Sequence, residues 1–175
     1  MTTASTQINE LPIAMPSSTP VAGFADLYER HYEAVFRAAL RVTGNPADAE
    51  DVLQTVFLRI MARGGDVEDV AVRAAYFRRA AVNAAIDVLR RRELRAESGY
   101  DNRAPRAAMQ PAFLLKERLR RALAILDRED ASLFLLRHVE GLSIEELAGM
   151  FHMEKNNVSV RLHRIRHRLQ AEMER

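Results

Sequence analysis

The chain contains no cysteine and no tryptophan. The first absence excludes disulfides, thiol redox switching and every zinc site built on thiolates. Lysine is scarce too: of 26 basic residues only Lys116 and Lys155 are lysines, the rest being arginine. Arginine favours flat, bidentate contacts with phosphate and guanine wherever its head is free. No apolar run approaches the ~20 residues that span a bilayer. The first residues lack the basic patch and apolar core of a secretory signal, so a cytoplasmic protein without membrane insertion is expected. The phosphate loop GxxxxGK[ST] is missing. Paired carboxylates, a nucleophile–base set and a metal-ligand cluster at coherent spacing are missing as well, so no enzyme and no cofactor is expected. His163 and His167 stand at the i,i+4 spacing of a metal pair. They lack the intervening glutamate of HExxH and lie among arginines, so phosphate contact or simple exposure is the expectation.

What is present is charge sorted by position. The net charge of +2 says little. Residues 73–95, however, hold seven arginines against Asp87 and Glu93, and residues 155–169 hold five basic side chains and no acidic one. Between them, residues 114–154 are slightly acidic. Two basic helices around an acidic middle suggest two contacts with a polyanion and a protein surface between them. The second basic stretch sits in the most informative part of the chain. Ser143 with Glu146 forms a capping box, and Ile144, Leu147, Ala148 and Phe151 follow at helical spacing. A second helix begins near residues 154–156. Val158, Leu162, Ile165 and Leu169 make its apolar stripe, with Arg161, Arg164 and Arg168 on a neighbouring face. A helix-turn-helix with a basic second helix is a DNA-reading device.

Upstream, residues 1–22 are rich in Thr, Ser and Pro and read as a flexible arm. Residues 24–42 form an amphipathic helix through Phe24, Tyr28, Tyr32, Val35, Phe36, Ala39 and Val42. Gly44-Asn45-Pro46 ends it and starts the next, with Asn45 as cap and Asp48, Glu50 and Asp51 loading the first turn. That second helix runs to about Met61. Gly64-Gly65-Asp66 breaks it, residues 64–71 read as a loop, and a third helix covers about 72–92 with a seam of Ala75, Val82, Ile86 and Leu89. Asn83 in that helix suits a buried hydrogen bond as well as a base contact. Of Tyr76 and Phe77, at least one belongs to the core. Residues 95–111, with Gly99, Pro105 and Pro111, read as a linker. A helix over 113–126, a turn at Asp127-Arg128-Glu129 and a helix over 130–140 ending at Gly141 lead into the helix-turn-helix. The expected fold is all-α: two small helical domains on a flexible linker, the second containing the helix-turn-helix. Their expected bounds are an arm at 1–22, a first domain at 23–95, a linker at 96–112 and a second domain at 113–175.

In this order and spacing, four passages resemble a bacterial RNA polymerase sigma factor of the extracytoplasmic-function type in the sigma-70 family. FADLYERHYEAVFRAALRVTGNPADAEDVLQTVFLRI and YFRRAAVNAAIDVLRRR look like the second sigma domain. LRRALAILDREDASLFLLRHVEGLSIEELA and VSVRLHRIRHRL look like the fourth. The resemblance implies a promoter-specificity subunit that binds core polymerase, recognises minus-thirty-five and minus-ten elements and helps melt DNA. It implies that Asp48, Glu50, Asp51, Gln54 and Phe57 grip the polymerase clamp and that the 64–71 loop captures a flipped base. Tyr76, Arg79, Asn83, Asp87, Arg90 and Arg91 would read the minus-ten element. Lys155, Asn156, Asn157, Ser159, Arg161, Arg164 and Arg168 would read the minus-thirty-five groove while the fourth domain sits on the polymerase flap. A dedicated anti-sigma protein and a monomeric free state are further implications. The chain departs from the family pattern at Asp127, where proline is usual, and at His152, where glycine is usual. It departs again at Asn156-Asn157-Val158-Ser159, where Gly-Thr-Val-Lys is typical, so an altered minus-thirty-five preference is expected.

From the residues alone, two other functions stay open. One is a dimeric helix-turn-helix regulator independent of core polymerase, against which the second basic helix and the long tether argue. The other is a sigma-mimicking interaction protein that binds an inhibitor and directs no transcription.

Overall fold

The computed structural model describes residues 21–62, 70–98 and 111–174. All regular structure among these residues is helical: α1 Val21–Thr43, α2 Pro46–Ala62, α3 Val70–Glu97, α4 Pro111–Ile125, α5 Arg128–His138, α6 Ile144–Phe151 and α7 Lys155–Met173. They form two clusters, α1–α3 and α4–α7, with α4 and α5 lying against α3. No helix among the described residues is long and apolar enough to cross a membrane.

The first cluster closes on the apolar faces read from the sequence. Val35, Ala39, Val52, Val56, Phe77, Val82 and Ile86 are buried. An aromatic group seals one end: Phe57 meets Phe24 edge-on at 6.0 Å and Tyr28 at 4.7 Å, and Phe77 stacks on His31 at 4.2 Å. Phe77 is thus the core aromatic of its pair, while Tyr76 is half-buried beside it. The α1–α2 turn is tight because Gly44 takes a φ of +65°, a region that costs other residues. Asn45 then caps α2, its Oδ1 accepting from the Ala47 N–H at 2.9 Å.

The second cluster is built around Leu123, Leu126, Leu133, Leu136, Leu147, Val158, Leu162, Ile165 and Leu169. Asp127 caps α5 by accepting from the Asp130 N–H at 2.9 Å, so the residue standing where proline is usual does the capping work itself. Ser143 and Glu146 form the reciprocal capping box. Such a cap contributes about 1 kcal/mol. His152 ends α6 in the left-handed conformation, φ 53°, a strain of roughly 1 kcal/mol for a residue with a Cβ.

Three helix ends differ from the sequence expectation. α3 runs five residues past Arg92, because Glu93, Leu94, Arg95 and Ala96 all favour helix. α4 starts at Pro111, which occupies a first helical position that needs no N–H. α5 starts at Arg128, because Asp127 is the cap rather than part of a turn. The expected loop at 64–71 lies mostly outside the described residues, as does the arm.

One local prediction concerns pH. His138, at the end of α5, packs on Phe134 at 4.5 Å. Burial, then the charges of Arg166 and Arg137, hold its pKa below the ordinary histidine value. A depressed histidine pKa means that the folded state prefers the neutral ring. Its contribution to stability is present above the unfolded value, about 6.5, and is lost as pH falls through the lower folded value. Urea midpoints at pH 7.5 and 5.5 are expected to differ less in His138→Gln than in the parent. An unchanged difference would rule His138 out as a source of the acid slope.

Candidate nucleic-acid interface

α7 owes its position to its buried stripe. With Val158, Leu162, Ile165 and Leu169 turned inward, the helical repeat turns Asn156, Asn157, Val160, His163, Arg164 and His167 outward. All six are exposed. Lys155 and Ser159 are exposed near the start of the helix, where Lys155 pairs with Glu145 at 2.8 Å. The arginines expected to share one face divide. Arg161 turns toward the start of α5, its Nε donating to Asp130 Oδ1 at 2.6 Å and its Nη1 lying 2.7 Å from Glu129 Oε2. Asp127 is 3.8 Å from its Nη2. Its side chain keeps 27% of its exposure. Arg168 leans on the same Asp130 at 3.4 Å but is otherwise exposed. Arg161 is therefore spent on holding α7 against α5, because a carboxylate as buried as Asp130 needs a cation beside it. Arg164 remains on the outward face.

The carboxyl groups around Arg161 titrate in opposite directions. Burial pushes Asp130 above the usual aspartate range, with its hydrogen bond to Asp127 adding to the rise and Arg161 opposing it. Burial acts upward on Asp127 as well. The hydrogen bonds it shares with Asp130 and the charge of Arg161 outweigh that and hold Asp127 below its ordinary value.

Two outward residues escaped selection in the sequence. His163 and His167 bring their Nε2 atoms to 3.3 Å at the centre of the exposed face. Among the described residues no third His, Asp or Glu completes a metal site with them. The signal was available, since the phase of the buried stripe alone assigns 156, 160, 163 and 167 to the opposite side.

The α3 residues occupy one strip that faces the second cluster. Arg79 donates from Nη1 to the Met150 carbonyl at 2.5 Å and lies 4.4 Å over the Phe151 ring. Asp87 accepts from Arg128 at 2.8 Å. Arg90 donates to the Ala124 and Leu126 carbonyls at 3.3 and 2.6 Å, capping the end of α4. Tyr76 and Asn83 are half-buried, and Arg91 is exposed.

On α2, Glu50, Asp51 and Gln54 are exposed. Asp48 is largely covered and pairs with Arg92 at 2.7 Å. Phe57 is only 4% exposed, so it supports α2 from within the aromatic group rather than offering a surface. Leu58 and Met61, 63% and 52% exposed, are the large apolar side chains that α2 presents instead. Sequence reasoning assigned Met61 to the buried face because apolar residues cover more than half of this helix's circumference.

Comparison with known proteins adds three findings. The family described as Sigma-70 region 2 matches residues 27–95, and that described as Sigma-70, region 4 matches residues 116–169. The RNA polymerase sigma-E factor of Streptomyces coelicolor is 31% identical over 156 residues, covering 87% of each chain. The RNA polymerase sigma factor CarQ of Myxococcus xanthus is 31% identical over 145 residues, covering 81% of this chain and 83% of its own. Among solved structures, the sigma factor RpoE in complex with the anti-sigma factor NepR from Bartonella quintana aligns with a TM-score of 0.51 at 19% identity, over 88% of this chain and 98% of that one. CnrH in complex with the cytosolic domain of CnrY aligns with a TM-score of 0.52 at 21% identity, over 89% and 90%.

Proposed function

Because the chain belongs to the sigma-70 family of RNA polymerase sigma factors, in its extracytoplasmic-function group, we propose how its surfaces divide the work of promoter recognition. As a sigma factor it binds core RNA polymerase and promoter DNA, and its work is binding rather than catalysis. The outward face of α7 enters the minus-thirty-five major groove. Asn156 and Asn157 carry the amides suited to adenine edges, and Arg164, His163 and His167 meet guanine or phosphate. The single observation behind this is the phase of α7, whose buried stripe leaves those side chains exposed together. Arg161 and Arg168 hold that helix in register.

The strip Tyr76, Arg79, Asn83, Asp87, Arg90 and Arg91 on α3 takes the minus-ten element. Opening the duplex is a matter of differential binding. Unstacking a step costs a few kcal/mol, and contacts available only to the separated strand offset it. Glu50, Asp51 and Gln54, with Leu58 and Met61, form the polymerase-facing side of α2, and the fourth-domain cluster rests on the flap. The domains are residues 23–95 and 113–175, joined by 96–112. An anti-sigma protein is a further partner, a reading supported by the two solved relatives of this shape, each of which is in complex with another protein.

Run-off transcription tests the assignment. Purified protein with bacterial core polymerase on sheared genomic DNA is expected to give discrete starts that need both components and share a pair of upstream motifs. Protection of a palindrome by the protein alone, without retention of polymerase, would replace this reading with that of a dimeric regulator.

A further inference from the structure

Three of the six α3 residues assigned to the minus-ten element are already engaged: Arg79 by α6, Asp87 by Arg128 of α5, and Arg90 by the end of α4. We infer that the free chain closes on itself, the second cluster covering the DNA-facing strip of α3, and that this contact must open before the minus-ten strand can bind. The inference rests on the assignment of that strip to DNA made above.

The contact is specific in chemistry. Charged side chains reach across it at several points, and three of them are arginines that cap helix carboxyl ends on the opposite cluster. Arg79 meets the Met150 carbonyl of α6 and Arg90 those at the end of α4. In the other direction Arg120 of α4 donates from Nε to the Val42 carbonyl of α1 at 3.2 Å. Helix carboxyl ends leave unpaired carbonyls and partial negative charge, so each guanidinium meets a site formed by the fold. Arg120 fits closely. A Cβ built on Gly44 would stand 1.8 Å from its Nη2, so only glycine at the α1–α2 turn admits it. Arg41–Glu140 at 3.0 Å and Arg121–Glu93 at 3.8 Å complete the set.

The apolar part of the contact is made of small side chains. α3 is buried nearly all round, at Ala81, Val82, Ala84, Ala85, Ile86, Val88 and Leu89. A helix of that kind needs cover on both sides. α1 and α2 supply one side, and α4 and α5 the other. Beside Asp87, the strip facing α5 carries Ala84 and Val88, so opening uncovers little apolar surface. Polar clips over a small apolar strip make a contact that a strong polyanion or a partner protein can displace.

The chain has no cysteine, which makes the test direct. Cysteines at exposed Ala34 of α1 and Ala171 of α7 carry nitroxide labels, and dipolar spectroscopy reads the distance between clusters. The full chain alone is expected to give one narrow distribution, and addition of core polymerase a longer, broader one. Arg120→Ala with Arg128→Ala is expected to lengthen the distance without polymerase. The same variant should bind the single-stranded non-template minus-ten oligonucleotide, taken from the mapped promoter, at least tenfold tighter. Arg41→Glu, an exposed reversal opposite Glu140, gives a second route to the open form should the double variant fold poorly, with helical circular dichroism as the control. A broad distribution in the free parent chain overturns the inference, as does an opened variant with unchanged affinity for the strand. A gain in affinity that survives Arg91→Glu overturns the assignment of α3 to DNA, and the distances still report closure separately.

Discussion

Arg161→Ala is expected to lower the stability of the second helical cluster by about 3 kcal/mol, although the substitution lies on the helix that reads DNA. Asp130 is 8% exposed at the start of α5, and the Arg161 Nε lies 2.6 Å from it. Removing one member of a buried ion pair leaves the other charged in a place that disfavours charge, at about 3–5 kcal/mol. The lower end applies because the guanidinium is partly exposed and Arg168 stands 3.4 Å away as a partial substitute. Urea unfolding reads the loss as a shifted midpoint with an unchanged slope. The double variant with Asp130→Asn should recover much of it, since the stranded charge is gone. A loss below about 0.5 kcal/mol would make the pair an ordinary surface contact and leave α7 held by its apolar stripe alone.

Arg164→Glu is expected to do the reverse. Three residues further along, this side chain is exposed on the outward face. Reversing its charge removes a phosphate or guanine contact and sets a carboxylate against the groove. Losses at such contacts are about 1–3 kcal/mol, or roughly ten- to hundredfold in minus-thirty-five-dependent initiation. Stability and affinity for core polymerase should stay within error, read by urea midpoint and by fluorescence anisotropy. Promoter output equal to the parent chain would remove Arg164 from the interface. A fall in core affinity would assign this face of α7 to polymerase instead. Together the two variants separate arginines that the sequence groups into one stripe.

Much of the fold was legible because it rests on local signals. Asn45 with Pro46, Ser143 with Glu146, and Gly141 mark helix ends through chemistry contained within a few residues. The inward stripes of α1 and α7 are regular enough to fix their orientation. What could not be read depends on residues far apart in the chain. Arg161 meets Asp130 across 31 positions, Arg79 meets Met150 across 71, and Arg120 meets Val42 across 78. Composition and spacing identify a free arginine and a spent one by the same letter. Phe57 was misplaced for a related reason. On a helix with a broad apolar face, only the packed neighbours Phe24, Tyr28 and Phe77 decide which aromatic turns inward.

The Arg120 clip on the end of α1 has one more consequence. It grips the turn that leads straight into α2, the polymerase-facing helix, while Arg90 at the far side of the same contact belongs to the DNA strip. Polymerase and promoter therefore draw on one shared equilibrium, although they touch different helices. Each ligand that selects the open form raises the affinity of the other by an identical factor, since coupling free energy is reciprocal. Were the closed form favoured about 99 to 1, the free protein would bind either ligand roughly a hundredfold more weakly than its open form does. The first ligand to arrive would lift that penalty for the second. The order of assembly then follows from concentration alone: the abundant enzyme opens the chain, and the rare promoter receives it already open.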